Sequence, residues 1–193
     1  MIQARNKLSQ EGLSEAKKLI NCCQAYDGTF REPYLSNMLN FDPNMLAFFL
    51  YYEKGELVGL LTVYADDQDV EVAILVHPNH RRQGIARALY RSFEKETASF
   101  PIHSVTFQTE RIFLDRHPDF VSNWGLIEDE ETETWLGKDR RPYPLANVSN
   151  LEVLLADRSY QEQISQLKFQ AFSEEHESRE VVDRYVAKAL KDP

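Results

Sequence analysis

Apolar residues recur along this chain first with a helical period and then with a strand period. Leu13, Ala16, Leu19, Ile20 and Cys23 fall on one stripe, so the spacing predicts an amphipathic helix over Leu13–Gln24, with Ser9 as its N-cap. A second short helix is expected from Glu32 to Leu39, with Pro33 in its first turn and Asp42-Pro43 as its stop. The stretch "MLAFFLYYEKGELVGLLTVYADDQDVEVAILV" then reads as three strands, Leu46–Glu53, Leu57–Ala65 and Val70–Val76. "EKGE" and "DDQD" supply the turns, with Asp66, Asp67 and Asp69 as turn formers. These strands are too apolar for one face to be wet, so helices should cover both sides of the sheet.

A loop follows Val76, and a helix is predicted from Gln83 to Thr97 with Ile85, Ala86, Leu89 and Phe93 inward. "HSVTFQT" reads as a further strand, "IFLDRHPDFVSNWG" as an irregular helix or a pair of short helices broken near Pro118, and "ETETWLG" as an outer strand. "KDRRPYPLANVSN" has the composition of a linker, after which "LEVLLA" reads as a strand and Tyr160–Phe172 and Arg179–Leu190 as helices. "QAY" at Gln24–Tyr26 is echoed by "QAF" at Gln170–Phe172, and "DP" at Asp42-Pro43 by Asp192-Pro193. Two divisions are open: a complete domain over 1–145 with the opening of a second such domain over 146–193, or two unrelated helix pairs sharing short peptides.

Composition narrows the functions available. Lys and Arg number 22 against 31 Asp and Glu, a net charge of -9, which argues against general binding to nucleic acid or anionic membranes. A basic cluster in such a chain needs a local purpose. Cys22 and Cys23 are adjacent, which suits neither a disulfide framework nor a metal site, and no segment has the length of a membrane span. A cytoplasmic protein is expected. His77 and His80 flank Pro78 and could touch a bound phosphate or simply face water, the latter being favoured, and His103, His117 and His176 have no ligand spacing, so no metal is expected.

The cluster is "VHPNHRRQGIARAL", Val76 to Leu89. A strand ends, the chain turns through Pro78, and a helix opens at Gly84 with amides that lack intrahelical acceptors and can hold an anion. Arg81, Arg82 and Arg87 add full charges suited to several phosphate groups. Neither a Gly-x-x-x-x-Gly-Lys-Ser/Thr loop nor a Gly-x-Gly-x-x-Gly loop is present. The run Pro78, Arg81, Gly84, Ala86 after "VAILV" instead resembles the signature loop of the GNAT family of acyl-CoA-dependent N-acyltransferases, and the element order over about Gln10–Gly137 is similar to theirs.

That resemblance implies an α/β fold with a mixed, largely antiparallel central sheet, helices on both faces and a splayed strand pair at the cofactor site. It implies acetyl-CoA as co-substrate, with main-chain groups of Ile74, Leu75 and Val76 along the pantetheine arm. The pyrophosphate would lie on Arg81, Arg82, Gln83, Gly84, Ile85, Ala86 and Arg87. A main-chain amide near Val76 would polarise the thioester carbonyl. Family members often carry a tyrosine four residues before a Gly-Phe pair; here the pair is Gly125-Leu126 and the position is Val121, with Ser122 a weak substitute. Glu71 and Glu110 are the candidate bases, each also readable as a solvated strand-end carboxylate. Trp124 and Trp135 read as packing around the slot.

The function implied is transfer of an acetyl group from acetyl-CoA to a small-molecule or peptide amine by direct attack. The alternative is a catalytically silent domain of the same fold that binds acyl-CoA or a neighbouring domain. The acidic run Ile127–Glu133 would suit a cationic acceptor or be a solvated face. The C-terminal segment is expected to self-associate or to dock on the first domain.

Overall fold

A computed structural model describes residues 1–129, 152–172 and 178–191. In chain order it contains β1 (Ile2–Arg5), α1 (Gln10–Asp27), β2 (Phe48–Glu53), β3 (Glu56–Tyr64), β4 (Asp69–Val76), α2 (Ile85–Thr97) and β5 (Ser104–Phe107). Short helices α3 (Arg111–Arg116) and α4 (Phe120–Trp124) follow, then α5 (Gln161–Ala171) and α6 (Arg179–Ala189). The five strands lie in the order β1-β2-β3-β4-β5, antiparallel throughout except for the parallel β4–β5 pair. This is the mixed, largely antiparallel sheet expected from the sequence.

Local chemistry sets these elements. The Ser9 hydroxyl accepts from Gly12 N at 3.1 Å to open α1, and Gly28, at φ 70°, closes it by donating to Gln24 O at 2.7 Å. The β2–β3 hairpin turns on Lys54 and Gly55, both at positive φ, the pair a tight turn needs to match strand twist. Six consecutive residues of β3, Val58–Val63, are buried, which requires cover on both faces. Gly59, in register with Tyr51 and Val76, looks towards α2, and Phe49 meets Phe93 of α2 with ring centroids 6.0 Å apart on that same face. The core also takes in Leu19, Ile20 and Cys23 of α1, which covers the other face.

Gly59 sets how closely α2 sits. A Cβ there would lie 2.7 Å from Ile85 Cγ2 and 3.1 Å from Leu89 Cδ1. Without it, the first turn of α2 settles onto the sheet beside the end of β4.

Four sequence expectations need correction. Glu32–Leu39 is not helical. Its start is held by long-range partners instead: Glu110 Oε1 accepts from Phe30 N at 2.7 Å and Arg31 N at 2.8 Å, and Gln24 Nε2 donates to Arg31 O at 3.1 Å. The Ser36 hydroxyl accepts from Met38 N at 3.2 Å, a local bond that competes with helix. Residues 152–156 of "LEVLLA" form no strand, because no edge pairs with them, and Val153 and Leu155 lie exposed. The predicted helix at Gln83 begins at Ile85, with Gly84 as its N-cap at φ 80°. Strand β1 was not anticipated, its four residues being too short a pattern to stand out from "MIQARN"; β2 holds it in register from Ile2–Tyr51 to Arg5–Phe48. "ETETWLG", the linker "KDRRPYPLANVSN", Trp135 and His176 lie outside the described residues.

At the C-terminal end α5 packs on α6, with Val182 and Val186 buried. Helix α6 reaches the main body through polar bonds, Arg184 Nη2 to Asp66 O at 2.8 Å and Lys188 Nζ to Asn40 O. Among the described residues no helix is long and apolar enough to cross a membrane.

Gly59→Ala should lower unfolding free energy by about 1–3 kcal/mol through overpacking against Ile85 and Leu89. Gly12→Ala, whose added Cβ meets nothing closer than 3.5 Å within a helix, should be neutral or stabilising. Urea midpoints of the two variants check this pair, and equal shifts would contradict the close-approach argument.

Candidate active site

The site begins where a ladder stops. His77 N donates to Val58 O at 2.9 Å, which fixes the phase of the β3–β4 pairing. Leu75 and Ala73 therefore exchange bonds with Leu60 and Thr62, while Val76, Ile74 and Val72 turn their main-chain groups away from β3. On that side β5 pairs with Asp69–Val72 alone, and its last rung is Gln108 N to Val72 O at 3.0 Å. The chain then leaves through Thr109 and Glu110 into α3, opening a wedge beside Ile74 and Val76. Of the three residues named for the pantetheine arm, Ile74 and the amide of Val76 face the wedge, the Val76 carbonyl accepts from Arg81 Nε and the Cys23 thiol, and Leu75 spends its own groups on β3.

The wedge is part of a cleft of about 1420 Å³ that passes between β4 and β5, from the N-terminus of α2 to the α1 face of the sheet. Small-ligand pockets commonly measure about 300–1,000 Å³, so this one has room for two reactants.

At the α2 end, Gly84 makes no side-chain cap bond, and a Cβ placed on it would meet nothing within 4 Å. The opening amides of α2, through Arg87, thus lack intrahelical acceptors at the cleft wall, the first internal bond being Ala88 N to Gly84 O at 3.0 Å. Arg82, Gly84, Ile85, Ala86 and Arg87 all line the cleft. Arg82 sits at φ 62°, a left-handed backbone that costs a non-glycine residue free energy and is common at functional sites. Arg87 Nη2 donates to Asn123 O at 3.1 Å, tying α4 to α2. Gln83 points elsewhere, donating to Asn79 O at 3.5 Å. An anionic diphosphate fits this arrangement of open amides and guanidinium groups.

Arg81 has a different employment from its neighbours. Its guanidinium grips Asp27 through two bonds of 2.7 and 2.6 Å, and its Nε donates to Val76 O at 3.0 Å. Asp27, at the end of α1, is 5% exposed. The carboxylate holds the Arg81 pKa above its ordinary value, and the pair clamps the loop to α1. The Cys23 thiol donates to Val76 O at 3.5 Å, and burial pushes its pKa up to about 11, so it stays protonated at neutral pH. His80 corrects an expectation too: rather than facing water, its Nδ1 lies 2.8 Å from Glu53 Oε2.

The other end of the cleft gathers Glu71, Gln108, Arg31, Tyr34 and Tyr64. Glu71 precedes the last rung and projects to the α1 face, where Gln108 Nε2 donates to its Oε2 and Arg31 Nη2 lies 3.8 Å from the same oxygen. Glu110 is also at the cleft, but its Oε1 is spent on the amides of Phe30 and Arg31. Tyr64 donates to Asp66 Oδ2 at 2.9 Å, and burial together with that carboxylate drives its pKa far above the ordinary tyrosine value. Ser122 is exposed, donates to Asp119 O at 3.1 Å and does not line the cleft; neither does Val121. Trp124 does, stacked with Phe107, Phe120 and Tyr90 at centroid distances of 5.6–6.0 Å, as packing around the slot. Tyr34 lies within the segment whose pattern predicts helix and Arg31 just before it, so no local pattern places either at the cleft. The acidic run is described only to Asp129, where Glu128 pairs with Arg111 at 2.6 Å. Among the described residues no group of three or more His, Cys, Asp or Glu could hold a metal.

The Acetyltransferase (GNAT) family matches residues 13–111, and the chain belongs to it. Among solved structures it is similar to a ribosomal-protein-alanine N-acetyltransferase from Brucella melitensis, at 18% identity and TM-score 0.49, over 72% of this chain and 98% of that one. A diaminobutyrate acetyltransferase from Paenibacillus lautus, in complex with L-2,4-diaminobutyric acid and coenzyme A, matches at 17% and 0.46, over 64% and 74%. An acetyltransferase of the GNAT family from Streptococcus pneumoniae matches at 19% and 0.45, over 72% and 98%. No curated protein matches the sequence.

Arg81→Ala should lower unfolding free energy by about 3 kcal/mol, because it strands the buried Asp27 carboxylate. Arg82→Ala should change it by less than about 0.5 kcal/mol. Guanidinium denaturation of the two variants checks this, and a harmless Arg81→Ala would remove the clamp from the account.

Proposed function

We propose that this protein transfers the acetyl group of acetyl-CoA to an amine by direct attack, without an acyl-enzyme. The observation that carries the reading is the convergence of two sets of main-chain groups: those of Ile74 with the Val76 amide in the wedge, and the uncapped amides at the start of α2. Acetyl-CoA supplies an activated thioester and a diphosphate handle. In this reading Gly84, Ile85, Ala86 and Arg87 hold the diphosphate through their amides, Arg82 adds charge, and Arg81 positions the loop through Asp27. Main-chain groups of Ile74 and Val76 align the arm, and an amide of this strand polarises the thioester carbonyl.

The acceptor must lose a proton before its nitrogen can attack. Glu71 lies in the cleft beside the last β4–β5 rung and takes that proton, directly or through water. The new N–C bond forms as the C–S bond breaks, and the second amine proton goes with the departing thiolate. Glu110, committed to the 30–31 amides, shapes the acceptor wall instead. A second reading, a silent acyl-CoA-binding domain, draws on two observations: valine stands at position 121, and Ser122 lies off the cleft.

Acetyl-CoA mixed with the protein and a panel of amines should release free thiol above the buffer rate, and Glu71→Gln should cut kcat by about 10²-fold or more. CoA binding with no release on any amine would favour the silent reading. Gly84→Leu should abolish CoA binding in calorimetry while the protein stays folded, since the added side chain enters open space at a cost of about 1–2 kcal/mol in backbone strain. Unchanged CoA affinity in that variant would remove the loop from the mechanism.

A further inference from the structure

The wedge closes at the Gln108–Val72 rung, and the two faces of the sheet differ at that level. Gly59 looks towards α2, so its register partner Val76, and with it Ile74 and Val72, carry their side chains on that face, while Glu71, Ala73 and Leu75 carry theirs towards α1. On the α2 face the space is taken. Val72 is 1% exposed, and Phe107, its register partner on β5, packs against Tyr90 and Trp124 at centroid distances of 5.0 and 5.6 Å. On the α1 face the cleft is open: Ala73 stands between Glu71 and Leu75, level with Thr62 of β3, and all four line it.

The walls above Ala73 are apolar. Leu13 comes from α1, and Leu35 follows Tyr34, whose ring meets Tyr64, the next α1-facing residue of β3, at 5.0 Å. Both leucines are half-buried and line the cleft. Lys17, one turn on from Leu13, also lines it but is exposed, and the charged groups of Arg31 and Glu71 lie at the end where the amine arrives. Leu13, Leu35, Thr62, Ala73 and Leu75 together form an uncharged chamber beside the rung. An acyl-CoA laid along Ile74 and the Val76 amide brings its thioester to that rung, where the wedge leaves no further path in the plane of the sheet and packed rings block the α2 face. We propose that the acyl group turns to the α1 face and lies over Ala73, so that the site takes unbranched acyl chains longer than acetyl, from butyryl to hexanoyl. This rests on the acyl-CoA reading of the wedge and extends its donor class. Ala73 has the shortest side chain on that face of β4, which leaves the room. The transfer itself is unaltered by chain length: the N–C bond forms as the C–S bond breaks, and CoA leaves as the thiol.

The test compares acetyl-, butyryl- and hexanoyl-CoA on the full chain, by calorimetry for binding and by thiol release with the amine panel for turnover. Each methylene buried in the chamber should tighten binding by up to about fourfold, so hexanoyl-CoA should bind roughly tenfold or more tightly than acetyl-CoA. Ala73→Leu should erase that preference by filling the space, and Leu13→Phe, which narrows the chamber from the opposite wall, should reduce it independently; unfolding midpoints identify the variants that remain folded. Hexanoyl-CoA binding no tighter than acetyl-CoA, or a preference that the folded variants keep, overturns the proposal. A chain-length preference in binding with no thiol release from any donor supports the chamber and retires the catalytic reading, whereas release from acetyl-CoA without such a preference keeps catalysis and retires the chamber. Turnover that rises with the apolar character of the amine while the donors behave alike assigns the chamber to the acceptor and also overturns the proposal.

Discussion

The rung from Gln108 N to Val72 O is the constraint on which the site depends. A parallel pair can be joined only by a crossover, and here the crossover is α2, which must start where β4 ends. Because β5 pairs with only the first half of β4, the second half keeps main-chain groups turned towards a gap, and the helix that follows opens its own amides at the same place. Had the ladder run on to Val76, the strand's polar groups would be paired within the protein and the gap closed. The gap is therefore a consequence of topology and of one early ending.

Much of this was legible in sequence because it is local. The stripe in α1, the three apolar strands, the glycine before Ile85 and the break at Pro118 each state their own geometry over a few residues, and each is found in place. What was not legible depends on partners far along the chain. The segment after α1 has a helix-like start in Glu32-Pro33, yet the Glu110 carboxylate, about eighty residues on, takes its amides and holds it open. "LEVLLA" has strand composition, but a strand is a pairing rather than a composition, and none of residues 152–156 is paired. Arg81 read as a phosphate ligand from its spacing; that its fork is filled by Asp27 follows from the packing of α1 on β4, which no spacing within the loop encodes.

The two arginine–carboxylate pairs illustrate how one chemistry is divided by environment. Arg81 and Asp27, nearly enclosed and doubly bonded, have desolvation already offset by each other and hold a loop still. Arg31 and Glu71, wetter and 3.8 Å apart, attract one another at the cleft wall, and Glu71 also accepts from Gln108. In a chain of net charge -9, the cations at the α2 end give that part of the cleft a local polarity distinct from the protein as a whole.

Proton handling then narrows to few groups. Val121 has no ionisable hydrogen and Ser122 lies off the cleft, so neither position supplies an acid. Tyr64 gives its proton to a bond with Asp66 and is held far from ionisation, and Cys23 is held as a thiol by burial. Glu110 has an oxygen committed to the loop. Of the cleft's remaining carboxylates, Glu71 is the one held at the end of the wedge, where the Gln108 amide donates to it.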